Sequence, residues 1–189
     1  IFIRLTGCPL RCTYCDTAYA FKGGSLQTTS EILKAIEHYK TKHVCVTGGE
    51  PLAQQSVLHL LSTLCDQDYH VSLETSGALN IQDVDERVTI VMDIKTPSSN
   101  ETDKMRWDNL KLLKPTDQIK FVIGDLDDFT WSKEKVRQLK LDAICQTWFS
   151  PCEPNMKHQA LANLILEEAL PVRFQIQLHK HLWGDVPGK

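Results

Sequence analysis

Three cysteines, Cys8, Cys12 and Cys15, crowd into eight residues of the run Gly7-Cys8-Pro9-Leu10-Arg11-Cys12-Thr13-Tyr14-Cys15-Asp16-Thr17. Their spacing lets three thiolates on one loop converge on a single inorganic centre. A structural zinc site or an electron-transferring cluster normally takes four protein ligands, so a triad leaves one metal position for a non-protein ligand. An open position is where chemistry can occur. Spacing alone leaves two other readings open: a zinc knuckle with a remote fourth ligand such as a histidine or Cys145, and three unrelated buried thiols. Of the other cysteines, Cys45, Cys65 and Cys145 sit in apolar strand or helix contexts and read as core packing, and Cys152 falls in a loop.

A second motif, Thr47-Gly48-Gly49-Glu50-Pro51, ends an apolar run with two glycines. A glycine pair lets backbone polar groups approach a small zwitterion without side-chain interference. Its plainer reading is a strand-to-helix turn with Pro51 opening the helix. Arg4 lies four residues before Cys8, where its guanidinium can fork onto a carboxylate. Read without the motif beside it, Arg4 is a strand-edge arginine in water. Glu50 reads as a structural buried acid. His179, at the end of a strand-like run, is weighed between substrate contact and structure, and Gln146 is read as pointing inward from a strand.

These residues need elements to position them. Strand-like runs fall at 1–5, 44–47, 71–74, 88–94, 118–123, 143–149 and 172–178. Helical patterns lie between most of them, at 29–40, 54–65, 103–113, 132–139 and 156–170, with a weaker one at 80–87. Thr28 and Glu31 form a capping box for the first helix, on which Ile32, Ile36 and Tyr39 share a face. Alternating strands and helices predict βαβ units on a mainly parallel sheet. The chain is short of the ~250 residues of a closed eight-fold barrel. The expected fold is α/β, a partial, open (β/α) barrel of about six parallel strands.

The 189 residues are enough for one core, and no linker or repeat divides them, so one domain over 1–189 is expected. The chain begins inside a strand without Met, which reads as incomplete ends. Lys and Arg number 21 against 24 Asp and Glu, a formal charge of -3, which does not fit a dedicated nucleic-acid binder. No apolar run approaches the ~20 residues that span a bilayer. Seven cysteines, an odd number with three crowded together, favour a reducing cytoplasm over a secreted disulfide framework.

Together, the CxxxCxxC triad and the Gly-Gly-Glu-Pro motif resemble those of the radical S-adenosylmethionine (SAM) superfamily. Arg4, Cys15-Asp16-Thr17, Glu74-Thr75-Ser76-Gly77, Asp93-Ile94-Lys95-Thr96-Pro97, Gln177-Leu178-His179-Lys180 and Trp183-Gly184 narrow the resemblance to the 7-carboxy-7-deazaguanine synthase family of queuosine biosynthesis, over nearly the whole chain. The resemblance implies a 4Fe-4S cluster, SAM chelating its fourth iron, and Mg2+. It implies 6-carboxytetrahydropterin as substrate, a 5′-deoxyadenosyl radical that abstracts hydrogen at C6, and ring contraction with loss of ammonia. SAM would act as a cofactor.

Carried over by position, Cys8, Cys12 and Cys15 would hold the cluster, Thr17 would bind Mg2+, and Tyr14, Cys15, Asp16 and Gly49 would bind SAM. Asp93, Ile94 and Lys95 would add SAM contacts, where the commoner family form is Ser-Pro-Lys. Glu74 would be a SAM neighbour and Gln146 a contact at the adenine end. Arg4, Thr47 and His179 would bind substrate. The implied partners are the pterin, an electron donor such as flavodoxin and a second copy of the chain, with no direct nucleic-acid or membrane partner. The rival within enzymes is a glycyl-radical-enzyme activase, which shares several of these motifs but usually carries His-Asn where this chain has Asp16-Thr17.

Overall fold

The computed structural model describes residues 1–184 and Val186; the domain expectation for 185 and 187–189 lies outside the described residues. Seven parallel strands form one sheet in sequence order: β1 Phe2–Leu5, β2 His43–Gly48, β3 His70–Thr75, β4 Thr89–Ile94, β5 Gln118–Ile123, β6 Gln146–Pro151 and β7 Arg173–Phe174. Each neighbouring pair is parallel. This is the expected open (β/α) arrangement, with a two-residue seventh strand added.

Side chains alternate across a strand, so the sheet has two unlike faces. One face carries Ile3, Val44, Val46, Val71, Leu73, Ile90, Met92, Ile94, Ile119, Phe121, Ile123 and Phe149, all buried. Helices α1 Thr29–Ile36, α2 Ser56–Asp66, α3 Leu126–Leu139 and α5 His158–Glu167 contribute Ile36, Leu61, Leu64, Phe129, Val136 and Leu161 to the same two clusters. The other face carries Arg4, Cys45, Thr47, Glu74, Asp93, Lys120 and Trp148, most of them only half-buried. Register partners on neighbouring strands share a face, which places Asp93, Lys120, Trp148 and Arg173 in one row.

Local sequence explains most boundaries. Thr28 and Glu31 make the capping box, with Glu31 N donating to Thr28 Oγ1 at 3.2 Å and Thr28 N to Glu31 Oε2 at 2.7 Å. Helix α1 ends at Ile36, however, and Tyr39 is exposed beside His38. Helix α3 begins at Leu126 rather than 132 because Asp125 caps it, accepting from Asp128 N at 2.8 Å. That Gly124-Asp125 start was present in the sequence.

Tertiary hydrogen bonds override the pattern elsewhere. Residues 103–113 form short 3-10 turns, Thr102–Lys104 and Trp107–Leu112, rather than an α-helix. Arg106 N and Asn109 Nδ2 donate to Gly77 O, and Asn109 also reaches Leu79 O at 2.8 Å, which pins this segment to the end of β3. Residues 80–87 form turns. Ala143 belongs to α4 Leu141–Ile144, so β6 starts at Gln146. The strand expected over 172–178 stops at Phe174, and α6 Leu178–Trp183 follows. His179 is therefore helical.

Candidate active site

Strand-to-loop junctions at the C-terminal edge of the sheet build the site. After β1 the chain turns at Gly7, whose φ of +90° favours glycine, and Gly7 N donates to Ala20 O at 2.8 Å. The cysteine loop is closed locally by Cys15 N to Cys12 O at 3.2 Å and tied to the loop after β4 by Thr13 N to Ser99 O at 3.2 Å. Cys8, Cys12 and Cys15 are all free thiols of intermediate burial.

The glycine pair after β2 packs against this loop backbone to backbone. Gly49 N donates to Leu5 O at 3.0 Å and Glu50 N to Gly7 O at 2.8 Å. A Cβ on Gly49 would lie 2.3 Å from Gly7 O and 2.9 Å from Cys8 Cβ, and one on Gly48 would lie 2.1 Å from Leu5 O. The close approach demanding glycine is therefore to the cysteine loop itself. Glu50, fully buried, accepts from Leu52 N at 3.0 Å, Thr75 Oγ1 at 3.0 Å, Ser76 N at 2.6 Å and Ser76 Oγ. It binds the ends of β2 and β3 together, the structural role expected of it.

Lys95, after β4, donates to Asp93 Oδ2 at 2.9 Å. Burial opposes the Lys95 charge, but Asp93, with Cys12 and Tyr14, outweighs it and raises its pKa. Asp93 Oδ1 is buried without a partner. Burial pushes the Cys12 thiol up to about 11, with Lys95 opposing the rise. Burial likewise raises Cys8. Tyr14 OH lies 3.2 Å from Thr96 Oγ1, and burial raises its pKa.

On the other side of the loop, Thr17 Oγ1 donates to Asp16 Oδ1 at 2.8 Å and Gln177 Nε2 donates to Asp16 Oδ2 at 2.6 Å. Lys180 Nζ lies 3.6 Å from the same oxygen. Burial works against the Asp16 carboxylate, yet Thr17, Lys180, Gln177 and Lys120 hold its pKa below the usual value. Helix α6 is thus fastened beside Cys15.

The structure brings Cys8, Cys12, Cys15, Tyr14, Gly49, Asp93 and Lys95 to one edge, with Asp16 and Thr17 adjoining. Arg4 pairs in register with Thr47 on the polar face and lies over the Tyr19 ring at 5.6 Å. Thr47 Oγ1 donates to Glu74 Oε2 at 3.5 Å. Two expectations need correction. Ile94 has its side chain in the helix-side core, leaving only backbone for a ligand. Gln146 is exposed at the start of β6, the end opposite the cysteine loop, because the strand begins later than its sequence pattern implied. Sequence reading missed the Gln177 and Lys180 contacts with Asp16, and also Lys120 and Trp148. The signal for Lys120 was the alternation of Gln118 and Lys120 with Ile119, Phe121 and Ile123; Trp148 carried none.

Among the described residues, no three His, Cys, Asp or Glu side chains group tightly enough for a single metal ion. Three free thiols on one loop are a soft donor set, and Cys8, Cys12 and Cys15 would be the residues to hold an iron–sulfur cluster. Residues 2–123 match the Radical SAM superfamily. The chain is 39% identical over 186 residues to the 7-carboxy-7-deazaguanine synthase of Chlorobaculum tepidum, covering 97% of this chain and 84% of that protein.

The chain belongs to the 7-carboxy-7-deazaguanine synthase family of radical SAM enzymes. It is 37% identical to the Koribacter versatilis 7-carboxy-7-deazaguanine synthase, with 97% of this chain and 88% of that protein covered. The fold is similar to that of QueE from Escherichia coli, with a TM-score of 0.75 at 21% identity over 93% of this chain and 84% of that one. As a radical SAM lyase of this family, the chain uses SAM and an iron–sulfur cluster. The activase alternative is not favoured by these relatives, and the strand ending at His179, one argument against it, is absent. No helix among the described residues is long and apolar enough to cross a membrane.

Proposed function

We propose that the chain converts 6-carboxy-5,6,7,8-tetrahydropterin to 7-carboxy-7-deazaguanine with loss of ammonia, as a step in queuosine precursor synthesis. The observation carrying this reading is the three-thiol loop packed backbone to backbone on Gly48-Gly49, above a polar sheet face that opens with Arg4 and Thr47. When bound, the 4Fe-4S cluster and SAM supply radical hydrogen abstraction. The chain's own residues hold and orient the reactants.

Cys8, Cys12 and Cys15 hold the cluster. Gly49 N is committed to Leu5 O, so the Gly49 carbonyl is the group that accepts from the SAM ammonium. Asp93 offers its free Oδ1 to SAM while Oδ2 stays paired with Lys95. Tyr14, Cys15, Asp16, Lys95 and the Ile94 backbone complete that wall. Arg4 forks onto the pterin carboxylate, Thr47 contacts the ring, and His179 approaches from α6.

Thr17 Oγ1 donates its hydrogen bond to Asp16 Oδ1, which leaves its oxygen lone pairs for Mg2+. Magnesium keeps several waters and takes further oxygens from substrate, here the carboxylate. Exposed Leu178, Leu182 and Trp183 on α6 support a homodimer. A flavodoxin-like protein is the proposed reductant, and the cytoplasm, where seven free thiols persist, the proposed compartment.

Anaerobic reconstitution with iron and sulfide should give a brown protein that forms 7-carboxy-7-deazaguanine from the carboxypterin. A fully iron-loaded, SAM-cleaving protein that leaves the carboxypterin unchanged would overturn the reading. Thr17→Ala should keep cluster and SAM binding and lose the Mg2+ response of turnover. A wild-type Mg2+ response in that variant removes Thr17 as a ligand.

A further inference from the structure

The polar face holds more hydrogen-bond donors than the roles above use. Lys120 on β5 and Trp148 on β6 are register partners, between Asp93 on β4 and Arg173 on β7. Lys120 is half-buried and makes no hydrogen bond or ion pair among the described residues. Trp148 Nε1 is buried and equally unpartnered. A buried donor without an acceptor is costly, and a bound acceptor removes that cost. The Arg173 guanidinium lies 5.4 Å from the centre of the Trp148 ring and adds positive charge to this wall.

Two donors side by side on adjacent strands, one charged, match the two oxygens of a carboxylate. Lys95 is already engaged with Asp93, and Lys180 lies beside Asp16. SAM and the substrate each bring one carboxylate. By register Arg4 and Lys120 stand on the same polar face of the sheet, and Arg4 is the residue proposed above to take the pterin carboxylate. Asp16 holds Thr17, where the substrate carboxylate is proposed to lie. The location therefore favours the substrate.

We propose that Lys120 and Trp148 form a carboxylate subsite that binds the acidic end of the substrate from the β5–β6 wall, on the polar face it shares with Arg4. This rests on the carboxypterin reading above. The test uses the cluster-loaded chain with SAM and measures dissociation constants for the carboxypterin, for tetrahydropterin lacking the carboxylate, and for SAM. Lys120→Met should weaken carboxypterin binding by about 10- to 100-fold and Trp148→Phe by roughly 3- to 10-fold. Lys120→Arg should recover most of the loss. Affinity for the decarboxylated pterin and for SAM should not change.

Unchanged carboxypterin affinity in Lys120→Met overturns the subsite. A loss confined to SAM overturns it too, by assigning the pair to the SAM carboxylate. Should Lys120→Met fail to hold its cluster, Trp148→Phe and the two pterins on the unmutated chain decide, and equal affinity for both pterins overturns the proposal. Failure of the unmutated chain to bind either pterin defeats the functional reading instead, which separates the two outcomes.

Discussion

The two faces of this sheet are made from the same strands and obey opposite rules. On the helix side, Phe121 is fully buried and meets Phe149 edge to face at 5.4 Å and Trp131 at 6.3 Å. On the other side, one residue along, Lys120 makes no hydrogen bond or ion pair among the described residues, and Trp148 hides an unanswered N–H. Parallel sheets normally bury apolar side chains on both faces. The departure on one face fits the proposed division of labour, in which one set of alternate positions holds the fold and the other meets the reactants.

Variants can break that division. The largest effect is expected at the edge where the faces meet: Cys12→Ala should abolish cluster incorporation and turnover, while the denaturation midpoint of the cluster-free chain stays within experimental error. A variant retaining full iron and SAM cleavage would remove Cys12 from the ligand set. Next, Phe121→Ala should cost about 3–5 kcal/mol in denaturant unfolding. The Km of whatever remains folded should not move, and a changed Km would show that the faces are coupled.

Arg4→Ala should do the reverse, lowering carboxypterin affinity by about one to two decades. Its stability should stay within ~0.5 kcal/mol, as for an exposed residue. Unchanged affinity would return Arg4 to its contact with Tyr19 alone. The smallest effect belongs to Thr28→Ala, which removes the α1 cap and should lower stability by about 1 kcal/mol with no change in turnover.

Much of this division was legible in the sequence, and the reasons differ by region. Strands β1 to β5 were placed well because Val, Ile and Phe recur with the period of a sheet and glycine or polar turns bound them. The cysteine triad was legible because three thiols at that spacing suit one inorganic centre; Gly48-Gly49 read as room for backbone to approach a ligand, and the close approach is instead to β1 and the cysteine loop. The C-terminal segment was not. Val172, Phe174, Ile176 and Leu178 alternate like a strand, yet only Arg173–Phe174 pairs. A six-residue helix such as α6 has little intrinsic stability, and Gln177 and Lys180 hold it by reaching Asp16, far away in sequence. Lys120 was passed over for a related reason. A lone strand lysine reads as solvent-exposed until its strand is known to face the site.

The packing of Gly49 on the cysteine loop constrains how this junction can change. A methyl group there would meet the Gly7 carbonyl oxygen at 2.3 Å and the Cys8 side chain at 2.9 Å, so even alanine must displace the loop that carries the thiols. The two strand ends behave as one mechanical part. Iron loading and cofactor affinity should therefore fall together on substitution at this junction, and directed evolution that seeks to tune one without the other will find its useful variation elsewhere, on the wall formed by β5 and β6.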